Sequence, residues 1–253
     1  MLMGMIIVGF IVGFLVGCTG MGGIILIPAL VYLAGLGSHV AMGTTLFTFI
    51  FTTSLCSWLY IRLGHVDWKA TIPICIGGFL FTYVGADVKA FTAAPYLNLI
   101  LALLILLAGA LVFCPVKGRR FSFMEEGRRS RFWVLFAVGS GVGFVAGLTG
   151  AGGPVLSVPI MIALGFPPLI AIGAGQVYSV PVALSGTVAN FLHGAIDYKV
   201  GALMIVIQIL GILLGVYMAN RMDTMKLRKM VAWVCIFCGG FILVNAIRGI
   251  LAM

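Results

Sequence analysis

The sequence predicts an all-α polytopic membrane protein, and three observations carry that reading. Of 253 residues, 62% are hydrophobic and only 8% are charged, against roughly 45–50% and about 25% in soluble globular chains. The apolar residues fall in runs near the ~20 residues that a helix needs to cross a hydrocarbon core. The charges collect in short stretches between those runs. A formal net charge of +9 would point a soluble protein toward nucleic acid. Here the bases are explained by orientation and by contact with anionic lipid head groups, so the expected partner is the bilayer and not nucleic acid.

The first run, Met5 to Gly17, follows no basic n-region and no clear cleavage site, so it reads as retained structure and not as a signal peptide. It enters the stretch Gly17-Cys18-Thr19-Gly20-Met21-Gly22-Gly23, after which a short apolar piece runs from Ile24 to Gly35. Twelve helical residues reach about 18 Å, well short of a core of roughly 30 Å. Met5 to Gly17 is similarly short. The two pieces form either a re-entrant hairpin or two tilted half-helices that meet at the glycines. Spans Val40 to Leu63, Ala70 to Val88 and Tyr96 to Cys114 follow, and Pro115 ends the last.

Residues 116–131 carry Lys117, Arg119, Arg120, Arg128, Arg129 and Arg131 against Glu125 and Glu126. This basic linker is expected in the cytoplasm and separates an N-terminal repeat, 1–115, from a C-terminal repeat, 132–253. A shift of 130 positions aligns the two. Gly13-Phe14 meets Gly143-Phe144; Gly17, Thr19, Gly20, Gly22, Gly23 and Leu26 meet Gly147, Thr149, Gly150, Gly152, Gly153 and Leu156; Gly64, Asp67 and Lys69 meet Gly194, Asp197 and Lys199; Gly85 meets Gly215. One register held over that distance argues for duplication. The second short piece is then Pro154 to Gly165, with Pro154 suited to a first helical position. The second set of spans is Leu169 to Leu192, Val200 to Ala219 and Met230 to Ile250.

Equivalent loops differ in charge. Phe91 to Pro95 carries none beyond Lys89 just before it, whereas its counterpart carries Arg221, Lys226, Arg228 and Lys229 against Asp223. If basic loops stay inside, the repeats are inverted. The expected fold is two inverted-topology repeats, each a glycine-broken short-helix hairpin plus about three full transmembrane helices. That is a transporter architecture.

The glycine loops are the candidate site. Glycine lets the chain leave the helical region and aim successive N–H groups at one point, and a following helix N-terminus adds partial positive charge. Thr19, Gly20, Gly22, Gly23, Thr149, Gly150, Gly152 and Gly153 are the expected substrate contacts, the threonines as hydroxyl donors. The bland reading is close helix packing by small residues; the repetition beside helices too short to span favours the anion cradle. Polar residues on Val40 to Leu63 and on its partner span either line a path or bond between helices, with Gln176 and Asn190 favoured as site residues because buried amides are costly unpaired.

All six acids, Asp67, Asp87, Glu125, Glu126, Asp197 and Asp223, fall in loops or at span ends. A metal or proton path would show a carboxylate in mid-membrane, so the expected substrate is anionic or neutral, with no metal and no cofactor. No hydrolase or nucleotide-binding motif is present. Cys18, Cys56, Cys75, Cys114, Cys235 and Cys238 lie in or beside apolar segments and read as packing residues, including the C-x-x-C pair Cys235/Cys238. His39, His65 and His193 read as interfacial, and Trp58 and Trp68 as an interfacial belt.

With the duplicated G-x-T-G-x-G-G, the prolines Pro28 and Pro159, and the G-x-[VI]-D-[WY]-K at Gly64 to Lys69 and Gly194 to Lys199, the chain resembles the TauE/SafE family of sulfite exporters over nearly its whole length. The resemblance implies a bacterial inner-membrane permease for sulfite, sulfoacetate or related organosulfur anions, usually an exporter. Gln176 departs from the first copy, standing opposite Thr45 at a shift of 131, which leaves the choice of substrate open. The expected function is alternating access around a central anion site, not enzymatic. An anion channel, or a membrane thiol or redox protein built on the cysteines, is the alternative. A homo-oligomer is compatible with the sequence.

Overall fold

A computed structural model describes residues 2–88, 128–150, 152–192 and 196–251, with residues 99, 102, 103, 106, 109 and 110 between the first two stretches. Among the described residues there are nine helices and no strand: α1 (Leu2–Thr19), α2 (Gly23–Ala34), α3 (Ser38–Arg62), α4 (Trp68–Val88), α5 (Arg128–Thr149), α6 (Pro154–Ala163), α7 (Pro168–Leu192), α8 (Tyr198–Arg221) and α9 (Thr224–Leu251). Six of them, all but α1, α2 and α6, are long and apolar enough to cross a membrane. Most of the expected span Tyr96 to Cys114, most of the linker, His193 and the side chain of Cys238 lie outside the described residues.

The helices before the glycines are longer than the sequence suggested. Helix α1 runs through Gly17 and Cys18 to Thr19 instead of stopping at Gly17, and α5 likewise runs to Thr149. Local bonding explains the extension. The Gly20 N–H donates to the Val16 carbonyl at 3.0 Å and the Gly150 N–H to Ala146 at 2.8 Å, closing a last helical turn before the chain bends. Only then do Gly20 (φ +81°) and Gly150 (φ +66°) enter the left-handed region, which glycine occupies without a Cβ penalty. The first glycine of each motif is therefore a helix residue, and the bend is the latter part of the motif.

Gly17 and Gly147 serve packing. A Cβ at Gly17 would stand 2.6 Å from the Ile212 carbonyl oxygen, and one at Gly147 2.2 Å from that of Thr82. A like relation holds along both helices: Gly13 meets the Gln208 backbone while Gly143 meets Gly78, and one turn earlier Gly139 meets the Ile74 backbone while Gly9 faces the side chains of Ile207 and Met204. Helix α1 thus lies parallel on α8, and α5 parallel on α4, with contacts at positions that differ by 130. The first helix of each half packs on a helix of the opposite half. Close backbone approach is how helices gain contact where lipid offers no hydrophobic drive.

The other directions follow from equally specific contacts. Gly22 lies under Val12 and Val16, and Gly4 under Leu33, so α2 folds back along α1 and returns toward the end where α1 began. Arg131 at the start of α5 stacks over Phe166 just after α6, with 5.5 Å from guanidinium carbon to ring centroid. The α5–α6 pair therefore returns in the same way, and both pairs are hairpins and not successive half-helices. The loop after α3 sits on the start of α7, where a Cβ at Gly173 would meet the His65 carbonyl oxygen. The loop after α7 sits on the start of α3, the Asp197 N–H donating to Thr44 Oγ at 2.9 Å. Helices α3 and α7 are accordingly antiparallel.

The two aspartates of the repeated G-x-[VI]-D-[WY]-K begin helices. Asp197 Oδ1 accepts from the N–H groups of Lys199 and Val200, both at 3.0 Å, and Asp67 Oδ1 accepts from Lys69 N–H at 3.0 Å. Such an N-cap is worth about 1 kcal/mol. Asp67 Oδ2 also takes a 2.7 Å charged bond from Arg131, and His65 Nε2 lies 2.7 Å from Asn220 Oδ1. The α3–α4 loop, the start of α5 and the end of α8 thus share one end of the molecule. That end carries Arg62, Lys69, Arg131 and Arg221.

Candidate functional site

Both bends are interior. Gly20, Gly22, Gly23, Gly150, Gly152 and Gly153 are all buried, as are Thr19 and Thr149. Gly17 faces Ile212 and Gly215, six residues before α8 ends, so the bend that starts three residues later at Gly20 lies roughly 5 Å inside that helix end. Lipid cannot satisfy irregular backbone, and its burial in protein is what makes a break tolerable at such a depth.

The bends also meet. A Cβ at Gly20 would lie 2.8 Å from Pro154 Cβ, at the first residue of α6, and 3.4 Å from Gln176 Nε2. The second bend is covered from α3 and α7: Gly150 abuts Met42, Gly152 the ring of Phe49, and Gly153 the ring of Tyr178. Helices α3 and α7 therefore wall the junction, which explains why they are the most deeply buried of the long helices. Neither α2 nor α6 has a side-chain cap at its N-terminus, where Gly22 and Gly153 stand. First-turn N–H groups without caps, with the helix dipole behind them, favour negative charge.

The threonine hydroxyls bond locally in this structure. Thr19 Oγ donates to the Leu15 carbonyl at 2.9 Å and accepts from Met21 N–H at 3.3 Å, and Thr149 Oγ donates to Val145 at 2.8 Å. Each hydroxyl proton is taken up by its own helix, so these side chains shape the bend. The hydroxyls of α3 behave alike: Thr45, Thr48 and Thr52 donate to Ala41, Thr45 and Thr48 carbonyls at 2.8, 2.7 and 3.0 Å.

Gln176 stands at the junction and Asn190 does not. Gln176 Nε2 donates to the Val16 carbonyl at 2.7 Å, while its Oε1 is buried without a partner. Asn190 lies fourteen residues further along α7, about 21 Å away along the helix axis. It donates to the Gly186 carbonyl at 2.6 Å within its own helix. Sequence reasoning missed Ser157, fully buried four residues into α6. Its only signal was a hydroxyl in an otherwise apolar short helix.

Three of the described cysteines are held as free thiols in the packed interior. Cys18 Sγ donates to the Gly215 carbonyl at 3.0 Å, Cys235 Sγ lies 3.4 Å from Met21 Sδ, and Cys18, Cys56 and Cys235 are buried. No group of three metal-binding side chains occurs among the described residues. At the outer parts of the helices, Trp58 and Trp68 are about half exposed, and Arg62 stacks on Trp58 at 4.2 Å.

A polytopic helical protein whose interior is built on two uncapped helix bends belongs with membrane transporters, and its relatives bear the same description. YunE of Bacillus subtilis (strain 168) is 24% identical over 93% of this chain and 94% of its own length. YdhB of the same organism is 26% identical over 88% and 93%, and MJ0441 of Methanocaldococcus jannaschii is 26% identical over 94% of both. Each is named a probable membrane transporter protein. The family model "Sulfite exporter TauE/SafE" matches residues 5–242, and the chain belongs to that family. It is a transporter family, not a class of enzymes. No solved structure matches the chain.

Proposed function

We propose that this protein is a secondary transporter that exports small sulfur-bearing anions, such as sulfite, sulfoacetate or related organosulfonates, by alternating access around the junction of its two bends. The observation that carries this reading is the contact of Gly20 with Pro154, which places two broken helices against each other inside the protein. Each bend leads into an uncapped helix N-terminus, and such ends hold oxyanions without a fixed cation. Family membership supports the sulfur chemistry.

The halves 1–115 and 132–253 are read as inverted repeats. Antiparallel α3 and α7, and the paired contacts of α1 on α8 and α5 on α4 at a constant offset, support that reading. Rocking one half against the other would expose the junction first to one side and then to the other. The basic end, with linker 116–131, faces the cytoplasm of a bacterial inner membrane on the positive-inside rule.

Proteoliposomes assayed with sulfite, sulfoacetate, taurine and sulfate test the proposal. Saturable flux of at least one sulfur anion is expected. Saturable flux of none overturns the substrate class, and flux that fails to saturate at low millimolar concentration overturns the carrier in favour of a channel.

A further inference from the structure

Two of the buried polar atoms without a hydrogen-bond partner belong to the bend junction, Gln176 Oε1 and Ser157 Oγ. Both residues are 0% exposed. The orientation of Gln176 is fixed by chemistry: a carbonyl can only accept, so the atom 2.7 Å from Val16 O is the amide nitrogen. The atom left over is therefore an acceptor. Ser157 Oγ lies 3.3 Å from where a Cβ of Gly175 would stand, next to Gln176, and Val158 Cγ2 and Pro154 Cβ touch the same points at both Gly175 and Gly20. The Gln176 amide nitrogen beside Gly20 and the Ser157 hydroxyl beside Gly175 thus both flank the first turn of α6.

These groups ask for two things at once. A buried acceptor without a donor is costly, and one suitable ligand proton relieves it. A helix N-terminus wants negative charge, equivalent to roughly half an elementary charge, so α6 favours an anion but falls well short of balancing a dianion. No acidic or basic side chain is buried among the described residues, and none occurs in the sequence from Tyr96 to Cys114. Nothing there compensates a second negative charge in low dielectric. The seat is also single. At a shift of 130, Ser157 and Gln176 correspond to Ile27 and Leu46, which offer no polar atom.

We infer that the junction binds one singly charged oxyanion that still carries a proton. Gln176 Oε1 accepts the hydrogen bond from that proton, Ser157 Oγ donates to a charged oxygen, and the N-terminus of α6 faces the charge. Among the solutes proposed above, this selects hydrogensulfite over the sulfite dianion, sulfate and sulfoacetate, which is doubly ionised at neutral pH. The inference rests on the transport reading for its biological sense, but binding is measurable without flux.

The test is ligand-induced thermal stabilisation of the purified full chain, read beside flux in proteoliposomes. The probes are sulfite at acidic and alkaline pH, sulfate, and methanesulfonate, a monoanion with no proton to donate. Binding of sulfite is expected to weaken at least about tenfold from acidic to alkaline pH, and methanesulfonate to bind about tenfold less tightly than hydrogensulfite, the factor that one satisfied buried hydrogen bond supplies. Gln176→Leu should bring methanesulfonate and hydrogensulfite within about threefold of each other, and Ser157→Ala should weaken both. Equal or tighter binding of the dianion, or equal binding of methanesulfonate by the unaltered protein, overturns the inference, whatever the variants do. Hydrogensulfite preference without flux supports the seat and sinks the transport proposal; flux without that preference does the reverse.

Discussion

The side-chain nitrogen of Gln176 and the carbonyl oxygen of Val16, 2.7 Å apart, tie α7 of the second half to the last turn of α1 in the first. The same carbonyl also accepts the N–H of Gly20, so one oxygen anchors both the bend and its neighbour across the halves. Gln176→Leu keeps the side chain's bulk and removes the tie. Losing the tie costs about 1 kcal/mol, but the same substitution removes the unpartnered Oε1, a gain of about 1–3 kcal/mol. A thermal melt of the ligand-free protein in detergent is therefore expected to leave Gln176→Leu at or slightly above the unaltered protein, and a loss of more than about 1 kcal/mol would show that Oε1 is satisfied without ligand.

Helix packing gives a second prediction with a control in the same helix. A Cβ at Gly147 would press on Thr82 O, whereas Gly141 has open space around it and lies exposed on α5. Gly147→Ala should destabilise by about 1–3 kcal/mol, the usual cost of overpacking. Gly141→Ala should stabilise by up to about 1 kcal/mol, through helix propensity alone. Gly17→Ala, facing Ile212 and Gly215, should follow Gly147→Ala. Equal melting temperatures for all three variants would be incompatible with the parallel α1–α8 and α5–α4 contacts.

Much of this arrangement was legible in the sequence because a repeated glycine pattern carries its register with it. The shift of 130 that aligns Gly13, Gly17 and Gly85 with Gly143, Gly147 and Gly215 is the shift relating the contacts of α1 on α8 to those of α5 on α4. Where the structure describes them, span positions held to within a few residues, apart from Met230 to Ile250, whose helix begins at Thr224. The partner of each glycine could not be read, because contacts between halves leave no local trace. Nor could the division of labour inside G-x-T-G-x-G-G, where Gly17 packs, Thr19 bonds back to Leu15 and Gly20 turns the chain. Composition favoured Gln176 and Asn190 equally, and only their fourteen-residue separation on one helix divides them.

The aspartates beginning α4 and α8 separate a cap from an ion pair. Asp67→Asn retains an oxygen for the Lys69 N–H and loses the Arg131 pair, while Asp67→Ala loses both. The pair is partly exposed and worth no more than about 1 kcal/mol; the cap adds about 1 kcal/mol. The expected order of stability is unaltered protein, then Asn, then Ala, with the first gap shrinking as salt is added. Asp197→Ala, which loses only the cap bonds to Lys199 and Val200, should resemble the cap term and show no salt dependence. A gap between the unaltered protein and Asp67→Asn that does not change with salt would deny the Arg131 pair any role.

Orientation is testable at two exposed positions. His39 opens α3 at the end that touches Asp197, and Met225 opens α9 at the end shared by His65 and Asn220. Cysteine at 225 should react with a membrane-impermeant maleimide only from the cytoplasmic side, and cysteine at 39 only from the other, against the parent chain as background. Labelling of both from one side would contradict the antiparallel relation of α3 and α7.

The bends themselves yield the sharpest contrast, because left-handed glycines occur both inside and outside the junction. At Gly35 (φ +68°) and Gly64 (φ +73°) an added methyl group would have nothing within 4 Å, whereas at Gly20 (φ +81°) it would meet Pro154 at 2.8 Å and at Gly150 (φ +66°) Met42 at 2.7 Å. Alanine at any of the four meets the left-handed penalty of about 1–2 kcal/mol. At Gly20 and Gly150 the methyl group also forces the halves apart where they meet, adding an overpacking cost of about 1–3 kcal/mol. Gly35→Ala and Gly64→Ala should therefore melt slightly lower and keep transport near the unaltered rate. Gly20→Ala and Gly150→Ala should melt lower still and lose at least about tenfold in flux per folded molecule, since a shift of the α6 N-terminus moves the group that faces the anion. Retention of full flux by Gly20→Ala, in protein shown to be folded by its melt, would place the transport path somewhere other than the junction of the two bends.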